Sequence, residues 1–229
     1  MKTIGLIGGM SWESTALYYQ FINEAIKERR GGFHSAKSIL YSVDFEEIES
    51  CQRNGDWNQA GEILNNAAHG LEKAGADFII ICTNTMHKVF DDIRKDLQIP
   101  VLHIADATAE EIQSRKIKKV GLLGTQYTME QDFYKARLHQ NGIEVLVPPV
   151  NDRKKINEVI YQELCLGKVR SVSKQEYQRI IHELQFQGAE GIVLGCTEIG
   201  LLIKQTDAKV PLFDTTYIHA MKAVEYALK

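Results

Sequence analysis

The chain lacks three features that would each have pointed to a large class of function. It has no basic tract: Lys and Arg are interspersed with Asp and Glu, and the formal net charge is −3. Nucleic acid is therefore not an expected partner. It has no apolar run near the ~18 residues that a membrane span requires. The opening Met1-Lys2-Thr3-Ile4-Gly5-Leu6-Ile7-Gly8-Gly9 loosely imitates a signal peptide, but it passes into Ser11-Trp12-Glu13-Ser14 with no small-residue cleavage site. It reads as a first strand. It also has few cysteines: Cys51, Cys82, Cys165 and Cys196, widely scattered over 229 residues. A disulfide framework is unusual for this size, so a reduced, cytoplasmic protein is expected.

Cofactor motifs are missing as well. Cys82 and His87 are five apart, and His103 or His219 could be imagined nearby, but there is no C-x-x-C pair and no dense Cys/His cluster. No metal site is expected. Gly5-Leu6-Ile7-Gly8-Gly9 does not have the G-x-G-x-x-G spacing, and no G-K-[ST] follows. Nicotinamide, flavin and nucleotide cofactors are therefore not expected. The simpler role for these glycines is a tight strand-to-helix turn with Ser11 as helix N-cap.

The residues present are those of an ordinary globular protein, 44% hydrophobic and 25% charged, with length for one large domain or two small ones. Short β-branched runs, Thr3 to Ile7, Phe78 to Ile81, Val120 to Leu123 and Ile192 to Leu194, alternate with stretches of helical period such as Tyr18, Ile22, Ile26 and Ile156, Ile160, Leu164. That alternation predicts an α/β fold with parallel strands and helices on both faces. The halves echo each other. Gly5-Leu6-Ile7-Gly8-Gly9 returns as Gly121-Leu122-Leu123-Gly124-Thr125. Ala76-Asp77 leading to Cys82 returns as Ala189-Glu190 leading to Cys196. Pro100-Val101-Leu102 returns as Pro211-Leu212-Phe213. The separations are 116, 114 and 111 residues. The expected architecture is two similar, doubly wound α/β domains related by a pseudo-two-fold, with the active site in the cleft between them. Residues 1–105 would carry Cys82 and 106–214 would carry Cys196, with a C-terminal helix, about 215–229, packing back on the first half.

In open parallel sheets, ligands bind beyond the carboxyl ends of the strands. Cys82 and Cys196 each close such a strand. Two thiols facing one ligand suit the inversion of a carbon centre, in which one face loses a proton and the other gains one. An ordinary thiol pKa, near 8.5, needs only modest tuning to give a base. Thr83, Asn84 and Thr85 after one cysteine, and Thr197 and Glu198 after the other, offer donors for a carboxylate and for the charge that develops on it. Paired thiols already supply both proton-transfer groups, so no pyridoxal phosphate is required. Cys51 and Cys165 lack this context and read as packing residues, Cys51 with the option of a partly exposed thiol. Lys116-Ile117-Lys118-Lys119 and Glu46-Glu47-Ile48-Glu49 read as solvated surface.

The stretches Ile80-Ile81-Cys82-Thr83-Asn84-Thr85-Met86-His87-Lys88 and Ile192-Val193-Leu194-Gly195-Cys196-Thr197-Glu198-Ile199-Gly200 resemble the two cysteine signatures of the aspartate/glutamate racemase family. Gly8-Gly9-Met10-Ser11-Trp12-Glu13-Ser14-Thr15, Ser42-Val43-Asp44-Phe45 and Tyr127-Thr128-Met129 resemble its aspartate racemase branch, which includes broad-specificity members. The resemblance implies a cofactor-independent, two-base isomerase of aspartate or glutamate that forms a homodimer, with Cys82 and Cys196 as the catalytic pair. It further implies substrate contacts at Met10, Gln52, Thr83, Asn84, Thr85 and Lys155, with Thr125, Thr197 and Glu198 on the other side. Lys155 would be the counter-charge to an acidic side chain. Two alternatives remain open at this level: a maleate isomerase-type enzyme on the same scaffold, and a non-catalytic protein that binds an acidic metabolite.

Overall fold

The structure, a computed structural model, describes residues Met1–Lys229. It divides into two compact units. Unit 1 comprises Met1–Ile104 together with His219–Lys229, and unit 2 comprises Ala105–Ile218. The chain thus leaves unit 1 after Ile104 and returns to it at His219.

Unit 1 runs β1 (Ile4–Gly8), α1 (Trp12–Arg30), β2 (Ser38–Ser42), α2 (Phe45–Asn54), α3 (Trp57–Lys73), β3 (Phe78–Ile81), a 3-10 helix (Thr85–Val89), α4 (Phe90–Ile93) and β4 (Val101–Leu102). From the exit point follow α5 (Ile104–Ser114), β5 (Lys119–Gly124), α6 (Gln126–Glu130), α7 (Asp132–Gln140), β6 (Glu144–Leu146) and α8 (Val150–Gln162). After these come a 3-10 turn (Leu164–Leu166), α9 (Ser171–Phe186), β7 (Gly191–Gly195), α10 (Ile199–Leu202), a 3-10 turn (Gln205–Asp207), β8 (Leu212–Asp214) and α11 (Thr215–Leu228). Ser11 caps α1, its side chain accepting from the Ser14 amide. Leu164, which the helical period had joined to Ile156 and Ile160, falls just past α8 in the 3-10 turn that Gly167 closes in a left-handed conformation. No helix is long and apolar enough to cross a membrane.

Each unit holds a four-stranded, wholly parallel sheet, in the order β2-β1-β3-β4 and β6-β5-β7-β8. The two orders are the same once the strands are counted within each unit. Gly5 pairs with Ile79 and Ile79 with Val101; Gly121 pairs with Ile192 and Ile192 with Leu212. The Ile79 amide donates to the Pro100 carbonyl at 2.9 Å, and Ile192 does the same to Pro211 at 2.9 Å. A carboxylate device is also repeated. Asp77 accepts from the Thr3 amide at 2.6 Å, and Glu190 from the Lys118 amide at 3.1 Å, each acid clamping the start of the neighbouring strand. The sequence echo of Ala-Asp and Ala-Glu is therefore an echo of hydrogen bonding.

Strand residues alternate faces, and in unit 1 both faces are buried. Ile7, Ile79 and Ile81 pack with Ala60, Leu64, Ala67 and Leu71 of α3. Ile4, Leu6, Phe78, Ile80 and Cys82 pack with Tyr18, Ile22 and Ile26 of α1 and with Ala220, Ala223, Val224 and Ala227 of α11. Covering the second face thus takes a helix from the far end of the sequence. Its small residues let the helix backbone approach closely. In unit 2 the buried strand residues Val120, Leu122, Ile192, Val193 and Phe213 are accompanied by Ile156 and Ile160 of α8 and Ile180, Ile181 and Leu184 of α9.

The turn after β1 requires its glycine. Gly9 has φ +95°, and a Cβ there would run into the Val43 carbonyl oxygen. Its amide donates to Thr15 Oγ1 at 2.9 Å, which fastens the turn to α1. Gly9→Ala should therefore destabilise the protein by about 1–3 kcal/mol, the range for a residue forced into a disfavoured backbone region, read as a lower urea midpoint with an unchanged m-value.

Candidate active site

All the strands of a unit run the same way, so their carboxyl ends gather along one edge. In unit 1 that edge carries the turn Gly9-Met10-Ser11 after β1 and the stretch Cys82-Thr83-Asn84-Thr85 after β3. The Cys82 amide donates to the Ile7 carbonyl at 2.9 Å, and Ser14 Oγ donates to the Cys82 carbonyl at 3.3 Å. Cys82 is thereby tied to both β1 and the first turn of α1. Thr83, Asn84 and Thr85 are all buried. Gln52 of α2 is buried too, and its Nε2 lies 3.0 Å from the Met86 sulfur. Met86 in turn shares an apolar cluster with Met10. The structure thus gathers Met10, Gln52 and residues 82–85 around one strand end, although they are up to 75 positions apart in sequence.

In unit 2 Gly124 pairs with Gly195, so Thr125 and Cys196 leave the sheet side by side. A Cβ on either glycine would lie 2.8 to 2.9 Å from a carbonyl oxygen of the neighbouring strand, which explains why both strands end without side chains. Thr125 caps α6, accepting from the Thr128 amide at 3.3 Å. Asn157 of α8 accepts from the adjacent Gln126 amide at 2.9 Å. Glu198 Oε2 accepts both the Cys196 thiol, at 3.0 Å, and the Thr197 hydroxyl, at 2.9 Å. All three residues are buried. Glu198, expected as a substrate contact, thus has this oxygen engaged with its own cysteine. Lys155 lies on the exposed side of α8, 3.8 Å from Glu158, and is the expected contact least built into a strand end.

The two thiols do not occupy equivalent positions. Ile79 and Ile192 are equivalent by register on both sides of their strands. Cys82 stands three residues past the first and Cys196 four past the second. The residue of unit 1 that corresponds to Cys196 is Thr83. Because a strand alternates faces, a one-residue shift changes the face a side chain meets. Cys82 joins the apolar cluster under α1 and α11, whereas Tyr177 of α9 is held protonated by burial and then by the proximity of Cys196, Glu163 and Cys165. The cysteines are 114 residues apart where the paired residues of their own strands, Ile79 and Ile192, are 113 apart, and that difference of one is the shift.

The electrostatics differ as well. Burial alone pushes the Cys82 thiol far above its ordinary value. Burial, and then the negative charge of Glu198 and of Cys165, push Cys196 well above. The tuning therefore runs opposite to the sequence expectation of a thiol drawn toward neutrality: desolvation penalises the thiolate, and no cation stands close enough to offset it.

Glu13 and Lys88 are not singled out by the sequence pattern, and His87, His103 and His219 are weighed there only as metal ligands. Glu13 Oε2, in the first turn of α1, is buried with no hydrogen-bond partner. Its signal was present in Trp12-Glu13-Ser14, but helical position alone does not reveal burial of one atom. His87, His103 and His219 come together behind Thr83. Lys88, one 3-10 turn past Thr85, holds its ammonium 3.6 Å from the Trp57 ring centre, and burial lowers its pKa. No three His, Cys, Asp or Glu side chains assemble into a group that could hold a metal ion.

Comparison with known proteins covers nearly the whole chain. The family model for Asp/Glu/Hydantoin racemase matches residues 7–223. A crystal structure of a candidate Asp/Glu racemase from Yersinia pestis superposes with a TM-score of 0.93 at 57% identity, covering 100% of both chains. An aspartate racemase homologue from Pyrococcus horikoshii OT3 gives a TM-score of 0.85 at 41% identity, again over 100% of both. The broad specificity amino-acid racemase RacX of Bacillus subtilis (strain 168) is 27% identical over 227 residues, 96% of each chain.

The raised thiols set an alkylation pattern. Both cysteines are neutral at pH 7, and thiolate appears only as pH rises, so modification by iodoacetamide should be slow near neutrality and accelerate into the alkaline range. Glu198→Gln removes the charge that disfavours the Cys196 thiolate. It should move the Cys196 alkylation midpoint to lower pH and leave that of Cys82 in place, as followed by peptide mass spectrometry.

Proposed function

The chain belongs to the Asp/Glu/Hydantoin racemase family, and on that premise we propose that it interconverts the enantiomers of an acidic amino acid, aspartate or glutamate, without a cofactor, using Cys82 and Cys196 as its two acid–base groups. The observation that carries this reading is the buried Cys196–Glu198–Thr197 group, a thiol held in its protonated state at a parallel strand end. The other unit presents its own buried thiol, Cys82, at the end of the corresponding strand.

In the direction where Cys82 is the base, its thiolate takes the α-proton and the C–H electron pair moves into the α-carboxylate as an enediolate. The Cys196 thiol then delivers its proton to the opposite face of the same carbon. The two sulfurs end with exchanged protonation states, and the reverse reaction exchanges them back. Donors at Thr83, Asn84, Thr85 and Thr197 receive the α-carboxylate and gain strength as negative charge accumulates on it. In this reading Met10 and Gln52, at the strand ends of unit 1, and Thr125, at those of unit 2, add further contacts, and Lys155 supplies the counter-charge to the side-chain carboxylate.

Glu13 completes the set. A buried carboxylate oxygen without a donor costs roughly 1–3 kcal/mol, and the α-ammonium of an amino acid carries three N–H donors. Glu13 Oε2 receives that ammonium in this reading, a contact that maleate, which has no amino group, cannot make. The likeness to a relative named for broad specificity supports including neutral amino acids among the trial substrates. The family resemblance extends the reading to a homodimer, and the scarcity of cysteine extends it to the cytoplasm.

Incubation in D2O with L-aspartate, L-glutamate, L-alanine or maleate, read by proton NMR and chiral chromatography, tests the reaction directly. Loss of the α-proton signal with appearance of the D-isomer is expected for an acidic amino acid; isomerisation of maleate with no α-exchange would overturn the proposal. Cys82→Ser and Cys196→Ser should each lower kcat by about 10²–10⁴-fold, the contribution of a positioned acid or base. Glu13→Gln should raise KM roughly ten- to a hundred-fold, as expected for loss of a charged hydrogen bond. An unchanged KM would remove Glu13 from the ammonium site.

A further inference from the structure

Three histidines of unit 1 are buried together: His87, His103 and His219 are 2%, 6% and 0% exposed. The His87 ring centre lies 4.4 Å from that of His103 and 6.0 Å from that of His219. Hydrogen bonds fix which nitrogens of His87 and His219 carry protons. The Ile104 amide donates to His87 Nε2 at 3.2 Å, so that nitrogen is bare. His87 Nδ1 lies 2.8 Å from the Thr83 carbonyl oxygen, which can only accept, so Nδ1 carries the proton. By the same logic His219 Nε2 donates to the Leu102 carbonyl at 3.1 Å, and its Nδ1 accepts from the Tyr18 hydroxyl at 3.0 Å. Burial keeps His219 neutral by lowering its pKa to about 4. The ring nitrogens of His87 and His219 are thus all engaged with the protein.

The partners of these rings lie at functionally telling places. Thr83 follows Cys82. Leu102 and Ile104 lie in the last residues of unit 1 before the chain leaves it, and His219 is the residue at which the chain returns. His87 therefore joins the strand-end loop to the exit segment through a single rigid ring. A trans peptide is planar, with its C=O and N–H pointing in opposite directions. Fixing the Thr83 carbonyl on His87 consequently aims the Asn84 N–H away from the histidines.

We propose that His87 is a positioning residue. Its Nδ1–H holds the Thr83–Asn84 peptide so that the Asn84 N–H is presented to the substrate's α-carboxylate, and its Nε2 makes that orientation depend on the Ile104 segment. The proposal rests on the racemase reading for the identity of the carboxylate. Asn and Gln separate the two halves of the device. Asn at position 87 can place an amide N–H near the site of Nδ1, and Gln can place an amide oxygen near the site of Nε2.

Two measurements test it. In wild-type protein labelled with 15N-histidine, long-range 15N–1H NMR should show His87 as the neutral Nδ1–H tautomer at pH 7; an Nε2–H tautomer or an imidazolium would overturn the proposal whatever the variants do. Among variants, His87→Ala and His87→Gln should lose about tenfold or more in kcat and raise KM for aspartate, while His87→Asn stays within about threefold of wild type. Equal activity of the Gln and Asn variants, or an Ala variant that matches wild type, would also overturn it. Aspartate affinity by calorimetry is read alongside turnover. A wild-type protein that binds but does not racemise therefore counts against the reaction and leaves the His87 comparison readable.

Discussion

Each cysteine site depends on the pairing of two parallel strands, β1 with β3 and β5 with β7. That pairing does two things at once. It brings a glycine-bearing turn and a cysteine-bearing turn to the same sheet edge, and it fixes how far each cysteine projects past the last paired residue. In unit 1 the result is a thiol whose amide is still held by Ile7 and whose carbonyl is held by Ser14. In unit 2 the paired Gly124 and Gly195 leave room for Thr125 and Cys196 to emerge together. A register slip of one residue in either pair would turn the thiol to the other face of its sheet. The observed one-residue difference between the units shows that the fold uses this sensitivity. The scaffold is duplicated, but the thiol position is not.

The second governing term is desolvation. Both thiols are buried, and burial favours the uncharged form. For Cys196 the Glu198 carboxylate acts in the same direction and offers a hydrogen-bond acceptor, so this cysteine is held in its S–H form. Cys82 has no such acid among the causes of its shift; its thiolate is opposed by the apolar cluster alone. The two units thus present one thiol with a fixed acceptor and one without, an asymmetry that the proposed two-thiol reaction would use.

Polar groups elsewhere serve order rather than charge. Exposed Asp77 of unit 1 and exposed Glu190 of unit 2 clamp the first strands of their units through backbone amides, and the buried histidines of unit 1 hold the loop after Cys82 by neutral hydrogen bonds. Such groups are costly to bury unless they are satisfied, and satisfying them specifies one arrangement of the backbone. The loop after Cys82 is in this sense built from behind, with Thr83 fastened to a ring that is itself fastened to the departing chain.

The fold and the strand-end positions of Cys82 and Cys196 were legible in the sequence because they rest on local signals. A short β-branched apolar run marks β3 and a 3.6-residue period marks α1, Ser11 marks a helix start, and the echoes of Gly5, Ala76-Asp77 and Pro100 mark a repeated strand order. The signatures around Cys82 and Cys196 marked the family. What the sequence could not supply was whatever depends on distance between remote residues. The inequivalence of the two thiols is a matter of sheet register, which long parallel pairings set and short echoes blur. The raised thiol pKa values come from the burial of Cys82 under α1 and α11 and from the burial of Cys196 together with the turn that folds Glu198 back on it. The cluster of His87, His103 and His219 needs residues 132 positions apart to meet behind one loop. Local pattern determines which segments become strands and helices; only tertiary packing, which brings remote residues together, decides which polar atoms lose water.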